Sequence, residues 1–153
     1  MNVNIITVGK KSDNNLQNLI DDYQKRLKLK LNWVLIDPPK GSLSNIERRR
    51  RESQLINLKL SGISNSYTIL LDETGKSFDS IEFSKLLENT KNESLNLNFV
   101  IGGAFGVDLE LIKLDIIISL SKMVLPHQIV RLILIEQIYR SETIIDNRSY
   151  HHL

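Results

Sequence analysis

The sequence predicts an α/β fold: a mainly parallel sheet with helices on both faces. Two observations carry that expectation. Apolar runs rich in Ile, Val and Leu alternate with helical patterns from one end of the chain to the other. The runs are also short and almost continuously apolar, as parallel strands covered on both sides are. With 153 residues, 41% of them hydrophobic, the chain suits a single domain spanning residues 1–153 around its own core.

Five strands are expected, over Val3 to Val8, Trp33 to Asp37, Tyr67 to Asp72, Leu97 to Ile101 and Asp115 to Leu120. Between the first two, Leu16, Leu19, Ile20, Tyr23 and Leu27 recur at helical spacing behind Ser12 or Asp13 as N-cap. Ser44 and Glu47 have capping-box spacing, so a second helix starts there and should stop at Gly62 with a left-handed C-cap. Asp79 and Glu82 open a third in the same way. A short fourth helix is expected from Asp108, and a long fifth from His127 to about Arg140. In the fifth, Ile129, Val130, Leu132, Ile133, Leu134, Ile135 and Ile138 place apolar side chains nearly all round. One face covers the sheet and the other needs a partner, so the same helix of a second subunit is the expected one, in a homodimer; the alternative is a central helix buried within one chain.

Composition excludes several functions. Lys and Arg number 20 against 18 Asp and Glu, a formal charge of only +2, so any nucleic-acid contact must be a local patch. Cysteine is absent, which removes disulfides, thiolate nucleophiles and cysteine metal sites and agrees with a reducing, cytoplasmic setting. The opening MNVNIITVGKK has no basic segment before its apolar run, and no apolar stretch is long enough to span a bilayer.

In such a sheet, ligands bind beyond the carboxyl ends of the strands. Three turns there are unusual: Leu71-Asp72-Glu73-Thr74-Gly75-Lys76, Ile101-Gly102-Gly103-Ala104-Phe105-Gly106, and Leu120-Ser121-Lys122-Met123-Val124-Leu125-Pro126-His127. The glycines allow close backbone approach, although a glycine pair at a strand exit is as often structural and the spacing lacks a dinucleotide fingerprint. The third turn is long and mostly uncharged. Its backbone suits the edge of an adenine, with Met123, Val124 and Leu125 as an apolar wall, unless these three are ordinary core. Asp72 lacks the second acidic residue of an aspartyl phosphoryl-transfer motif, since Thr74 stands two positions on.

The run Glu47 to Glu52 holds four consecutive arginines, which spread around a helical turn and read as a solvated face more readily than as a phosphate-binding patch. Arg131, Tyr139, Arg140, Arg148, Tyr150, His151 and His152 crowd the last helix and tail. Those side chains suit stacking and hydrogen bonding to an exposed RNA base; incidental residues of a frayed terminus are the plainer account. No cluster has metal-ligand spacing.

Taken together, LLDETGK, FVIGGAFGV, SLSKMVLPHQIVRLILIEQIYR and the terminal YHH resemble the ribosomal RNA large-subunit methyltransferase H family of the SPOUT class. The likeness runs over essentially the whole chain, from NIITVGK onward. It implies an S-adenosylmethionine-dependent enzyme that methylates N3 of a pseudouridine in large-subunit ribosomal RNA, with a C-terminal trefoil knot and pairing through the knot region. Carried across by motif, cofactor contacts fall on Leu71, Gly102, Leu120, Ser121, Lys122, Met123, Val124 and Leu125. Tyr150 and His151 are then the residues expected to serve catalysis, and Arg140 to hold RNA. At the end His152 stands where the family commonly carries a lysine or arginine, so a permanent cation becomes a titratable one. The competing reading is a non-catalytic RNA-binding or ribosome-associated dimer, which would have no affinity for S-adenosylmethionine.

Overall fold

A computed structural model describes residues 1–150. In chain order the elements are β1 (Asn2–Val8), α1 (Asn14–Arg26), β2 (Lys30–Ile36), α2 (Asn45–Ser61), β3 (Ser66–Ser77), α3 (Ser80–Asn92), β4 (Asn96–Ile101), β5 (Ile116–Ser119) and α4 (His127–Ile145). The strands form one sheet in the order β2-β1-β4-β3-β5, with every neighbouring pair parallel. Alternation along the strands divides the core in two. Val3, Ile5, Leu97, Phe99 and Ile101 meet α1, α3 and α4 through Ile20, Phe83, Leu87, Leu134 and Ile138. Ile6, Val8, Leu70 and Val100 meet α2 through Ile56 and Leu60 on the other face. Each such side chain contributes roughly 1.5–3 kcal/mol by leaving water.

Helix starts follow the polar signals. Asp13 caps α1 by accepting from Asn15 and Leu16, and full capping boxes form at Ser44–Glu47 and Asp79–Glu82. β2 begins at Lys30, three residues before the expected Trp33, and three expectations about the helices change. No helix opens at Asp108: its amide donates to Ser53 Oγ on α2 (2.8 Å), and the chain must reach Asp115, whose amide bonds Thr68 O. Turns lead from Asp108 to β5. Gly62 ends α2 with φ −82°, right-handed rather than left-handed, and the positive φ falls later at Asn65. The last helix continues past Arg140 to Ile145, where Asn147 (φ 52°) lets Arg148 N bond Thr143 O.

β3 also extends beyond its expected end. It pairs with β5 up to Leu71↔Ile118, bulges through 72–75, and rejoins at Lys76↔Ile118 and Ser77↔Ser119. Gly75 makes the return possible, because a Cβ there would lie 2.7 Å from the Ile117 and Ile118 backbone. Among the described residues no helix is long and apolar enough to cross a membrane.

α4 is fastened to the sheet by Arg131, which is 3% exposed. Its guanidinium donates to Lys10 O (2.6 Å), Val8 O (3.2 Å) and Thr7 Oγ1 (3.2 Å), covering carbonyls at the carboxyl end of β1. Methionine would fill the space and leave those acceptors bare. Arg131→Met is expected to lower the unfolding free energy by about 3 kcal/mol, read from urea denaturation; a loss below about 1 kcal/mol would mean that water takes over the carbonyls.

Candidate functional site

Because all five strands run the same way, their carboxyl ends lie along one edge. The exits of β3, β4 and β5 there enclose a cavity of about 550 Å³, closed on one side by the first turn of α4. Of the residues expected to hold a cofactor, Leu71, Gly102, Leu120, Ser121, Met123, Val124 and Leu125 line it; Lys122 is exposed and is not part of the lining.

Local chemistry shapes each wall. The β3 bulge is an Asx turn, Asp72 Oδ1 accepting from Thr74 N (2.9 Å) and Thr74 Oγ1 (2.6 Å), and it carries Asp72, Glu73 and Thr74 to the cavity. In the glycine turn Gly106 (φ +73°) bonds back to Gly103 O at 3.0 Å. A Cβ at Gly102 would lie 2.7 Å from Val107 Cγ2, so that glycine answers to the turn's own packing as much as to ligand approach. The third wall turns on Ser121, whose Oγ accepts from Met123 N (3.0 Å) and whose carbonyl accepts from Ser119 Oγ (2.8 Å). Met123 and Val124, 72% and 80% exposed, are therefore not core; they form an apolar rim together with Phe105.

The volume falls in the range of small-molecule and cofactor sites, and the walls join apolar side chains to turn backbone. Its charged lining is Asp72 and Glu73 against Arg49, with His127 at the start of α4. Burial, helped by the Arg131 charge, holds the His127 imidazole below its ordinary 6.5. At neutral pH the cavity is thus net negative by one and suits a ligand with positive charge. The described residues hold no group of three His, Cys, Asp or Glu placed for a metal.

Arg140 and Tyr150 lie elsewhere in the chain. Tyr150 OH is 3.2 Å from Tyr23 OH and 3.2 Å from Glu136 Oε1, its ring meets Tyr139 edge-on at 4.9 Å, and Arg140 stacks over it at 4.9 Å. Arg140 also bonds Glu136 through Nε (3.1 Å), and Arg26 stacks on Tyr23 (4.5 Å) and Tyr139 (4.9 Å). Burial first, then the Tyr23 hydroxyl and the Glu136 charge, push the Tyr150 hydroxyl well above its usual range. Here it donates its one proton to Glu136 and is no base. From His127 to Arg140 α4 rises about 20 Å at 1.5 Å per residue, so one chain does not bring this cluster to the cavity. His151, also expected at the site, lies outside the described residues, as does His152.

Sequence reasoning missed part of the site. The run from Glu47 to Glu52 is not uniformly solvated: Arg49 lines the cavity, Arg48 Nη1 donates to Pro39 O (3.2 Å), and Glu52 is buried. The signal was periodicity, since Glu52, Ser53, Ile56 and Leu60 share the sheet-facing side of α2.

Residues 1–151 match the family model described as "Predicted SPOUT methyltransferase". Relatives named ribosomal RNA large subunit methyltransferase H include proteins of Flavobacterium psychrophilum, 42% identical, Christiangramia forsetii, 40%, and Mycoplasmopsis synoviae, 40%; in each, 99% of both chains is covered.

The His127 shift has a defined sign. Above pH 6.5 the imidazole is neutral folded or unfolded; below it the unfolded chain takes up the proton first, so stability falls from about pH 6.5 down to the folded pKa. The imidazole resonance lost in His127→Gln is expected to titrate below 6.5 by NMR, and that variant to lose less stability on acidification. A midpoint at or above 6.5 would contradict the burial.

Proposed function

The chain belongs to the SPOUT methyltransferase family, and from that premise we propose that it transfers a methyl group from S-adenosylmethionine to N3 of a pseudouridine in large-subunit ribosomal RNA. The observation that carries this reading is the single cavity into which the turns after β3, β4 and β5 converge. Met123, Val124 and Leu125 offer an apolar wall, and the 102–106 and 120–123 backbones offer polar groups to an adenosine. S-adenosylmethionine supplies a methyl group already activated on a sulfonium centre, so the protein's task is to hold donor and base in line and to ease the proton off N3.

On the RNA side we place Arg140, Tyr150 and His151. Arg140 is a cation suited to a base that has given up its proton, and Tyr150 a hydrogen-bond donor suited to orienting it. Homodimerisation reconciles their distance from the cavity. Ile129 and Ile133 belong to neither apolar cluster of the core and share an outward stripe of α4 with Glu136 and Arg140 at helical spacing. Antiparallel pairing of this stripe about a two-fold axis sets the carboxyl end of the partner's α4 beside the amino end of this one, where His127 and Val130 line the cavity. We further take residues 1–153 as one cytoplasmic methyltransferase domain threaded as the family's trefoil knot. The sheet order supports the threading: the chain leaves β4 on one side of β3 and re-enters as β5 on the other, against Gly75.

Calorimetric titration with S-adenosylmethionine is expected to show saturable binding that weakens at least about tenfold in Leu120→Trp, which fills the cavity. A folded wild-type protein with no binding would favour the non-catalytic RNA-binding dimer instead. Ile133→Glu places a charge on the outward stripe and is expected to sediment as a folded monomer; a folded dimer would refute pairing through α4.

A further inference from the structure

Glu52 lies on α2 one turn beyond Arg49, among Ser53, Ile56 and Leu60, and is 3% exposed. Its Oε2 has no hydrogen-bond partner among the described residues, and none of their ion pairs includes it. Arg48 on the same helix is the favourable charge that acts on it, and it offsets only part of the burial, which pushes the carboxyl up. Folds seldom leave a buried carboxylate so poorly compensated without a use for it. Its position suggests the use. A Cβ on Gly103 would overlap Glu52 Oε2 and sit 2.9 Å from Cδ, and Gly103 is itself cavity wall. The carboxylate packs against the wall of the proposed donor site without lining it, and the missing Gly103 side chain is what lets it approach.

Resting on the methyl-donor reading above, we propose that Glu52 is the fixed counter-charge of the cavity, a positioning residue that favours the sulfonium donor over the neutral thioether left after transfer. Transfer breaks the S–CH3 bond with its electron pair kept by sulfur, forms the N–CH3 bond, and releases the N3 proton. The ligand therefore goes from net positive to neutral within the site. A buried carboxylate stabilises only the first of these states, because the low-dielectric surroundings magnify its field. That draws in donor and loosens product. It also explains why the charge is tolerated unpaired in the empty protein: the cost in stability is offset when the cation binds.

The test titrates wild type, Glu52→Gln and Glu52→Met with S-adenosylmethionine and, in parallel, S-adenosylhomocysteine, and follows thermal unfolding without ligand. Both variants are expected to bind S-adenosylmethionine about tenfold more weakly and S-adenosylhomocysteine within about twofold of wild type. Their Tm should be unchanged or a few degrees higher, since an unpaired buried charge has been removed. Equal losses for both ligands, unchanged affinities, or variants that lose Tm or fail to fold would overturn the counter-charge and leave Glu52 a structural residue. Wild type that binds neither ligand would overturn the methyl-donor reading beneath it, a result distinct from all of these.

Discussion

Every strand of this sheet points the same way, and the rest of the structure depends on that constraint. Parallel pairing delivers the exits of β3, β4 and β5 to one edge, where three segments distant in sequence become three walls of one cavity. The close pairing of β3 with β5 then sets the cavity's shape. The two strands part after Leu71 and rejoin at Lys76, and the four residues between them are thrown outward as a turn tied by Asp72 and Thr74. Gly75 permits the rejoining because the Ile117–Ile118 backbone leaves no room for a side chain.

Electrostatics gives that cavity its character. His127 is kept neutral by burial and by Arg131, which is itself committed to the carbonyls at the end of β1. Asp72 and Glu73 outnumber Arg49 along the lining, and Glu52 adds a further negative charge behind Gly103. At the opposite end of α4, Arg26, Arg140 and Arg148 stack among Tyr23, Tyr139 and Tyr150, while Glu136, Glu142 and Asp146 pair with Arg140 and Arg148. On the proposed reading, one helix joins an acidic pocket suited to a cationic donor to an arginine- and tyrosine-rich surface on the acceptor side.

Much of this was legible in the sequence because it depends on short-range chemistry. Ile, Val and Leu runs specify strands wherever both faces are buried, and Ser44 with Glu47 or Asp79 with Glu82 satisfies helix amides regardless of tertiary surroundings. Seven of the eight residues that the motif resemblance singled out line one cavity. The failures share a tertiary cause. Asp108 has the look of a helix cap, yet its amide is claimed by Ser53, fifty-five positions earlier. Glu52 sits in a charged run whose local composition says solvent, and only the packing of α2 on the sheet buries it. Spacing along a chain says which residues share a helix; it does not say which end of that helix meets the ligand, or whose ligand it is.

The most direct measurement is of the reaction. Ribosomes lacking large-subunit methylation at pseudouridine would be incubated with the purified protein and methyl-labelled S-adenosylmethionine, and the ribosomal RNA digested and mapped by mass spectrometry. The account requires label in large-subunit RNA alone, confined to N3 of a pseudouridine. Absence of label from a protein that binds the donor, or label in small-subunit RNA or in ribosomal protein, would contradict it.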